Sequence, residues 1–171
     1  PSRTYDVNSY IQLSGTSPSL GVDANNNPIF QDNLVDFGSM FQQLKANSDN
    51  LSQNANNASL FDTNNNAIAN TNLPTSVEIF LNEGVNYLNI SGTDLNNVEA
   101  FTSQNHPNSD RLLIINVDAP GELDWDVWSQ AGFATQDAPY IIYNFYNTTK
   151  LTINGTNSIF GSILAPYADI I

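Results

Sequence analysis

From residue 111 onward the chain alternates short apolar runs with turns built from Asp, Asn, Gly and Pro. Residues 111–117 form one run and 140–146 the next; 151–153 and 159–164 follow, and 170–171 begins another. Runs rich in Ile, Leu, Val, Tyr and Phe and bounded by turn formers read as β-strands. They lack the two-residue turns of a hairpin ladder, so their spacing points to a β-solenoid or a sandwich. Upstream, 77–81 and 85–90 predict two more strands joined by Asn82-Glu83-Gly84, where glycine supplies positive φ. Between residues 5 and 13, Val7, Ser9, Ile11 and Leu13 alternate with Asn8, Tyr10 and Gln12, which predicts one further strand.

Residues 33–52 follow a different period. Leu34, Phe37, Met40 and Phe41, Leu44 and Leu51 recur mostly at steps of three and four, an amphipathic helix with one apolar stripe. Asp32 stands where an N-cap belongs. The stripe needs a sheet to bury it, so the helix is expected to lie along one side of the β-structure. Residues 21–28, 53–72 and 102–110 read as loops, with a weak strand at 67–68, and 94–101 favours neither helix nor strand. No repeat of fixed length emerges. The expected fold is all-β, a right-handed β-helix with irregular turns and one α-helix over about 33–52 packed alongside; the alternative is a β-sandwich.

Composition narrows the partners. At 171 residues the chain is expected to form one domain with a substantial core. Four basic residues, Arg3, Lys45, Arg111 and Lys150, stand against seventeen acidic ones, for a net charge of −13. Such a chain repels nucleic acid and anionic membrane surfaces. The longest apolar run, 112–115, is far short of the roughly 20 residues of a membrane span. Only 12% of residues are charged, so the polar surface is made of Asn, Ser, Thr and Gln, groups that meet sugars without the desolvation cost of ions. Cysteine is absent, which excludes disulfides, thiolate metal sites and cysteine nucleophiles.

Few residues are candidates for chemistry. A Ser-His-Asp triad would have to use the single histidine, His106, in a loop beside Pro107 and without a nucleophile-elbow pattern. A solvated loop residue is the expected role. Asp118, Glu122, Asp124 and Asp126 fall close together, and Asp124 and Asp126 would share one face of a strand, a glycosidase-like pair. Nothing marks a partner that would tune either carboxyl. Asp23-x-Asn25-x-Asn27 and Asp62-x-Asn64-x-Asn66 copy the opening of a calcium loop, but Pro28 and Ala67 replace its glycine and Leu34 and Leu73 its closing Glu. Structural Ca²⁺ is the one metal option left, and no cofactor is expected.

Aromatic residues are the stronger surface candidates. Trp125 and Trp128, with Tyr140 and Tyr146, sit among Asp and Asn, the combination that stacks a sugar ring and bonds its hydroxyls. Tyr143 and Phe145 belong to the opposite face of their strand and are expected in the core. Sequons occur at Asn50, Asn57, Asn89, Asn147 and Asn154, a number that chance predicts in a chain so rich in Asn, Ser and Thr. They would carry glycans only in a protein secreted by a eukaryotic cell. The threonines Thr148, Thr149, Thr152 and Thr156 are too few and too irregular for a flat ice-binding array.

The motifs Asn116-Val117, Asn144-Phe145 and Gly161-Ser162-Ile163-Leu164-Ala165-Pro166-Tyr167-Ala168 come in the order seen in the choice-of-anchor A family, which this part of the chain resembles. The resemblance implies a secreted or wall-attached β-helical domain, spanning 1–171 and continuing beyond both ends. It also implies a non-enzymatic adhesive role toward extracellular polysaccharide or a fibrous matrix protein, at the cell surface or in the cell wall. Two other readings stay open. One is a self-assembling subunit of an extracellular filament, joined through unpaired strand edges. The other is a β-helical polysaccharide-degrading enzyme.

Overall fold

The computed structural model describes residues 36–171 and, before them, the backbone of β1 (Ser2–Tyr5) and β2 (Ile11–Ser14). The chain forms two compact units, Pro1–Gly38 and Ser39–Ile171. In the first, β1 and β2 pair antiparallel with Tyr5 opposite Ile11, so the strand expected over 5–13 is replaced by a hairpin. The Asp32 cap, helix positions 33–35 and the first calcium-like loop, Asp23 to Asn27, lie outside the described residues.

A helix, α1 (Phe37–Ser52), leads into the second unit. There follow β3 (Ser59–Phe61), β4 (Ala67–Ile68), β5 (Ser76–Phe80) and β6 (Gly84–Ser91). Next come the short α2 (Gly92–Asn97), β7 (Ala100–Ser103), β8 (Arg111–Asp118) and β9 (Gly121–Asp126). A 3-10 segment, Thr135–Tyr140, precedes β10 (Ile141–Phe145), β11 (Thr148–Asn154), β12 (Ser162–Leu164) and β13 (Asp169–Ile170). The architecture is mostly β with few helices, and no barrel closes.

The strands gather into parallel stacks that the chain visits in turn. β6, β8, β10 and β12 lie side by side in one parallel sheet, and β9, β11 and β13 in another. A third pairs β5 with β7 in parallel, and a bridge from Ala100 to Ser129 carries it one step further. Only β3 and β4 pair antiparallel within this unit, on the free side of β5. Parallel neighbours need long crossovers, which is why the apolar runs showed no hairpin turns between them.

Inward-facing residues of all three stacks form one core. Leu113, Ile115 and Val117 of β8, Ile141, Tyr143 and Phe145 of β10, and Leu123, Trp125 and Leu151 of β9 and β11 are buried. Trp125 packs 5.2 Å from Tyr143 and 5.5 Å from Phe145 between ring centroids, and Trp128 stacks on Phe101 at 4.7 Å. Gly161, with φ of 141°, makes the turn into β12; a side chain there would meet Tyr143 at 2.9 Å and Ile141 at 3.0 Å. This close approach explains the glycine that opens the Leu-Ala-Pro motif.

The outer face of the four-stranded sheet carries an asparagine ladder. Asn89, Asn116 and Asn144 are in register on β6, β8 and β10. Asn116 donates to the Asn89 side chain at 2.8 Å, and Asn144 to the Asn116 side chain at 2.8 Å. Each amide has a second hydrogen, and it goes to a backbone carbonyl of α1 or the turn after it. Asn144 reaches Ser48 at 2.9 Å, Asn116 reaches Leu51 at 3.0 Å, and Asn89 reaches Asn54 at 2.8 Å. The Ser48 hydroxyl closes the row by donating to Asn144 at 2.6 Å. Three residues of helix rise about 4.5 Å, close to the roughly 4.8 Å between strands, so α1 runs across the strands one turn per rung.

The helix therefore docks otherwise than its apolar stripe predicts. Ser48, on the same stripe as Leu44 and Leu51, is the buried contact, while Phe37, Met40, Phe41 and Leu44 are exposed. A polar row on the sheet selected the polar position of the stripe, because a buried amide without partners costs more than an exposed apolar side chain gains.

Replacing Asn144 by Ala strips the ladder of its fully buried member and leaves Ser48 and Asn116 unpaired. We expect a loss of about 3 kcal/mol in chemical denaturation, against about 1 kcal/mol for Asn89→Ala at the more open end. Equal losses at the two positions would contradict the role assigned to burial.

Candidate functional site

Two residues beyond each ladder asparagine, the strands end in side chains that line a cleft of about 310 Å³. Ser91 follows Asn89 and pairs in register with Asp118, which follows Asn116. Tyr146 follows Asn144, one residue past Phe145, the partner of Val117. Ser52 at the end of α1 and Asn70 and Thr71 after β4 complete the rim, with Asp94 at the base.

The groups in this cleft are held unequally. Asp94 is buried and committed: one oxygen accepts from the Leu73 backbone at 2.9 Å and the other from the Ser91 hydroxyl at 2.7 Å. Ser91 in turn caps α2, accepting from the Asp94 backbone at 3.0 Å. Asp118 is exposed and accepts from Asn147 at 2.6 Å, which leaves oxygen capacity facing the cleft. Partial burial, and then the neighbouring Asp118 carboxylate, raise the Tyr146 phenol above the ordinary tyrosine range. No lysine or arginine lines the space. The arrangement offers hydroxyl, amide and carboxylate groups and one aromatic ring, which suits a neutral polyhydroxylated ligand and repels an anionic one.

The other candidates lie elsewhere. Trp125 and Trp128 are 0% and 2% exposed, so the contact with a sugar expected of them is not open to either ring. The alternation along β9 turns Trp125 inward with Leu123, and Glu122, Asp124 and Asp126 outward. Asp124 and Asp126 do share that exposed face, opposite Thr152 and Asn154 of β11 and away from the cleft. Tyr140 is half-buried at the start of β10, the strand end opposite to Tyr146. Of the four aromatic candidates, the cleft takes Tyr146 alone.

His106 is more than a solvated loop residue. Its Nδ1 lies 2.8 Å from the carboxylate of Asp137, which is buried and also accepts from the Ala134 backbone at 2.8 Å. The pair pins the loop before β8 to the 3-10 segment before β10. Asp62 spends its carboxylate on the β3–β4 turn, accepting from the backbone of Asn64 at 2.9 Å and of Asn66 at 2.8 Å. The hydrogen bonds from Asn66, side chain first, hold its carboxyl below the usual range. The calcium-like spacing thus serves a hairpin turn, and among the described residues no group of three His, Asp or Glu is placed to hold a metal ion.

Three of the five sequons have engaged side chains. Asn57 bonds β6, Asn89 belongs to the ladder, and Asn147 bridges Asp118 and the Ala119 backbone. Asn50 and Asn154 are exposed. Sequence reading missed Ser52, Asn70, Thr71 and Ser91 as site residues. The available signal was the recurrence of Asn-x-Ser, Asn-x-Asp and Asn-x-Tyr at residues 89, 116 and 144, whose ladder contacts span 27 and 28 positions.

Fold and cleft together define a mostly β domain with a polar, cation-free recess at the ends of parallel strands. A family profile described as "Putative Ice-binding-like adhesive domain" matches residues 3–171, and the chain belongs to that family. It is an adhesive-type domain. No curated protein and no solved structure matches the chain. Among the described residues no helix is long and apolar enough to cross a membrane.

Because Asp118 is only the second cause of the raised Tyr146 phenol, Asp118→Asn should lower its titration midpoint part of the way toward the ordinary value. The sign follows from the charge: removing a carboxylate makes phenolate cheaper to form. A pH titration of the tyrosine ring by NMR reads this directly, and a midpoint that stays put or rises would refute the proximity.

Proposed function

We propose that this chain is a non-enzymatic adhesive domain of the cell surface that holds a neutral polysaccharide segment in the cleft formed by Ser91, Asp118 and Tyr146. The observation that carries this reading is the stacked column of serine, aspartate and tyrosine on adjacent strands. Their spacing of about 4.8 Å per strand matches the pitch of a sugar ring, roughly 5 Å across. Membership of an adhesive family supports the role, and the absence of cations in the cleft favours a neutral polymer over a charged one.

The finer family reading follows the same way. Parallel stacks visited in turn support successive coils of a right-handed β-helix, and the Asn-Val and Asn-Phe motifs of the choice-of-anchor A resemblance are the ladder itself. An extracellular or cell-wall location fits both. Catalysis gains no support: Asp94 is fully committed to structure, and Asp124 and Asp126 face solvent away from the recess. The outward face of β9 and β11 alternates acids with Thr152 and Asn154, a poor match to the regular threonine array that ice requires.

Co-sedimentation with insoluble cellulose and chitin, with collagen as the protein control, tests the reading. Pelleting with one polysaccharide, weakened about tenfold by Tyr146→Ala and by Ser91→Ala with unfolding temperature of Tyr146→Ala unchanged, is expected. Binding to collagen alone, or polysaccharide binding indifferent to Tyr146, would overturn it.

A further inference from the structure

The two edges of the four-stranded parallel sheet are finished differently. At the β6 edge, the segment after α1 replaces a neighbouring strand with amides. Asn57 accepts from the Tyr87 backbone at 2.6 Å and donates to the Val85 carbonyl at 3.0 Å. The backbone of Asn57 and Ala58 donates to the Tyr87 carbonyl, and Asn56 accepts from the Asn89 backbone at 3.0 Å. Asn70 takes the Asn89 carbonyl. Each group that would pair with another strand already has a partner.

The β12 edge has none of this. Among the described residues, no hydrogen bond reaches the outer side of Ser162–Leu164. The core comes to the surface here. Leu88, Ile115 and Tyr143 form one inward column at 0% exposure, but Ile163, next in that column, is only half-buried. Leu123 and Leu151 are buried, whereas Ile170, their successor, is 55% exposed. Along α1, Leu44 lies about one rung beyond Ser48, level with β12, and Phe41 and Met40 about one rung further. Tyr167 fixes this placement, bonding Asp49 at 2.8 Å with Lys45 over its ring at 5.0 Å. Met40, Phe41 and Leu44 are all exposed.

We infer that this end is an interface for a second copy of the chain, joined β12 to β12 about a two-fold axis. Three observations select that occupant. The capped β6 edge denies head-to-tail stacking, so an unpaired edge can meet only its own equivalent, which gives a closed pair instead of a filament. The overhang of α1 past β12 is about one strand deep, the depth of one partner strand. Finally, no charged residue lies between Lys150 and Asp169, so two copies of an acidic chain can approach through this stretch without like-charge contact.

Sedimentation velocity of the 171-residue chain over about 1–100 μM tests the inference. A concentration-dependent shift from monomer to dimer, with no larger species, is expected. Phe41→Asp and Ile170→Lys, both at exposed side chains, should each raise the dissociation constant by on the order of tenfold or more while the thermal unfolding of the diluted protein stays as before. A monomer throughout, growth beyond the dimer, or a dimer that both substitutions leave intact would each overturn it.

Discussion

Three side-chain amides in line, bonded to one another and to the carbonyls of a helix, set the geometry on which the rest of this domain depends. A parallel sheet buried on both faces is ordinarily a run of aliphatic residues, and register then rests on packing alone. Here Asn89, Asn116 and Asn144 must stand level for their amides to meet, so a slip of one strand would break two contacts at once. The match between helix rise and strand spacing lets α1 serve three strands with one repeated bond.

The same chemistry explains much of the unusual composition. A carboxamide carries a donor and an acceptor, as a peptide group does, and so can stand in for a missing strand. Asn56 and Asn57 do this along β6, and Asn86 and Asn105 satisfy backbone groups at the turns before β6 and after β7. The asparagine-rich stretch after α1, unremarkable as a loop, is the closure of a sheet edge. The cleft follows from the ladder: once the asparagines are level, the residues two positions on are level too, and Ser91, Asp118 and Tyr146 converge.

Expectations that failed did so for a common reason. Trp125 and Trp128 were candidates because flat rings beside acids suit sugars, yet strand alternation separates neighbours in sequence onto opposite faces. The helix stripe was right in period but was not the docking face over its first half, because the sheet offered it an amide row and the helix answered with Ser48. His106 found a buried carboxylate more than thirty positions away, a contact no local pattern announces.

What the sequence by itself determined is local: which runs are strands, that 37–52 is helical, that hairpin turns are missing from the C-terminal half, and that the partner is neither nucleic acid nor an anionic membrane. Period, turn chemistry and net charge are read over a few residues, or summed over all of them, and need no third dimension. The tertiary structure alone decided which asparagines stack, which aromatic ring reaches a ligand and which edge stays open. Those depend on the register of strands some 27 residues apart, set by long crossovers whose lengths vary, so that no fixed repeat showed in the chain.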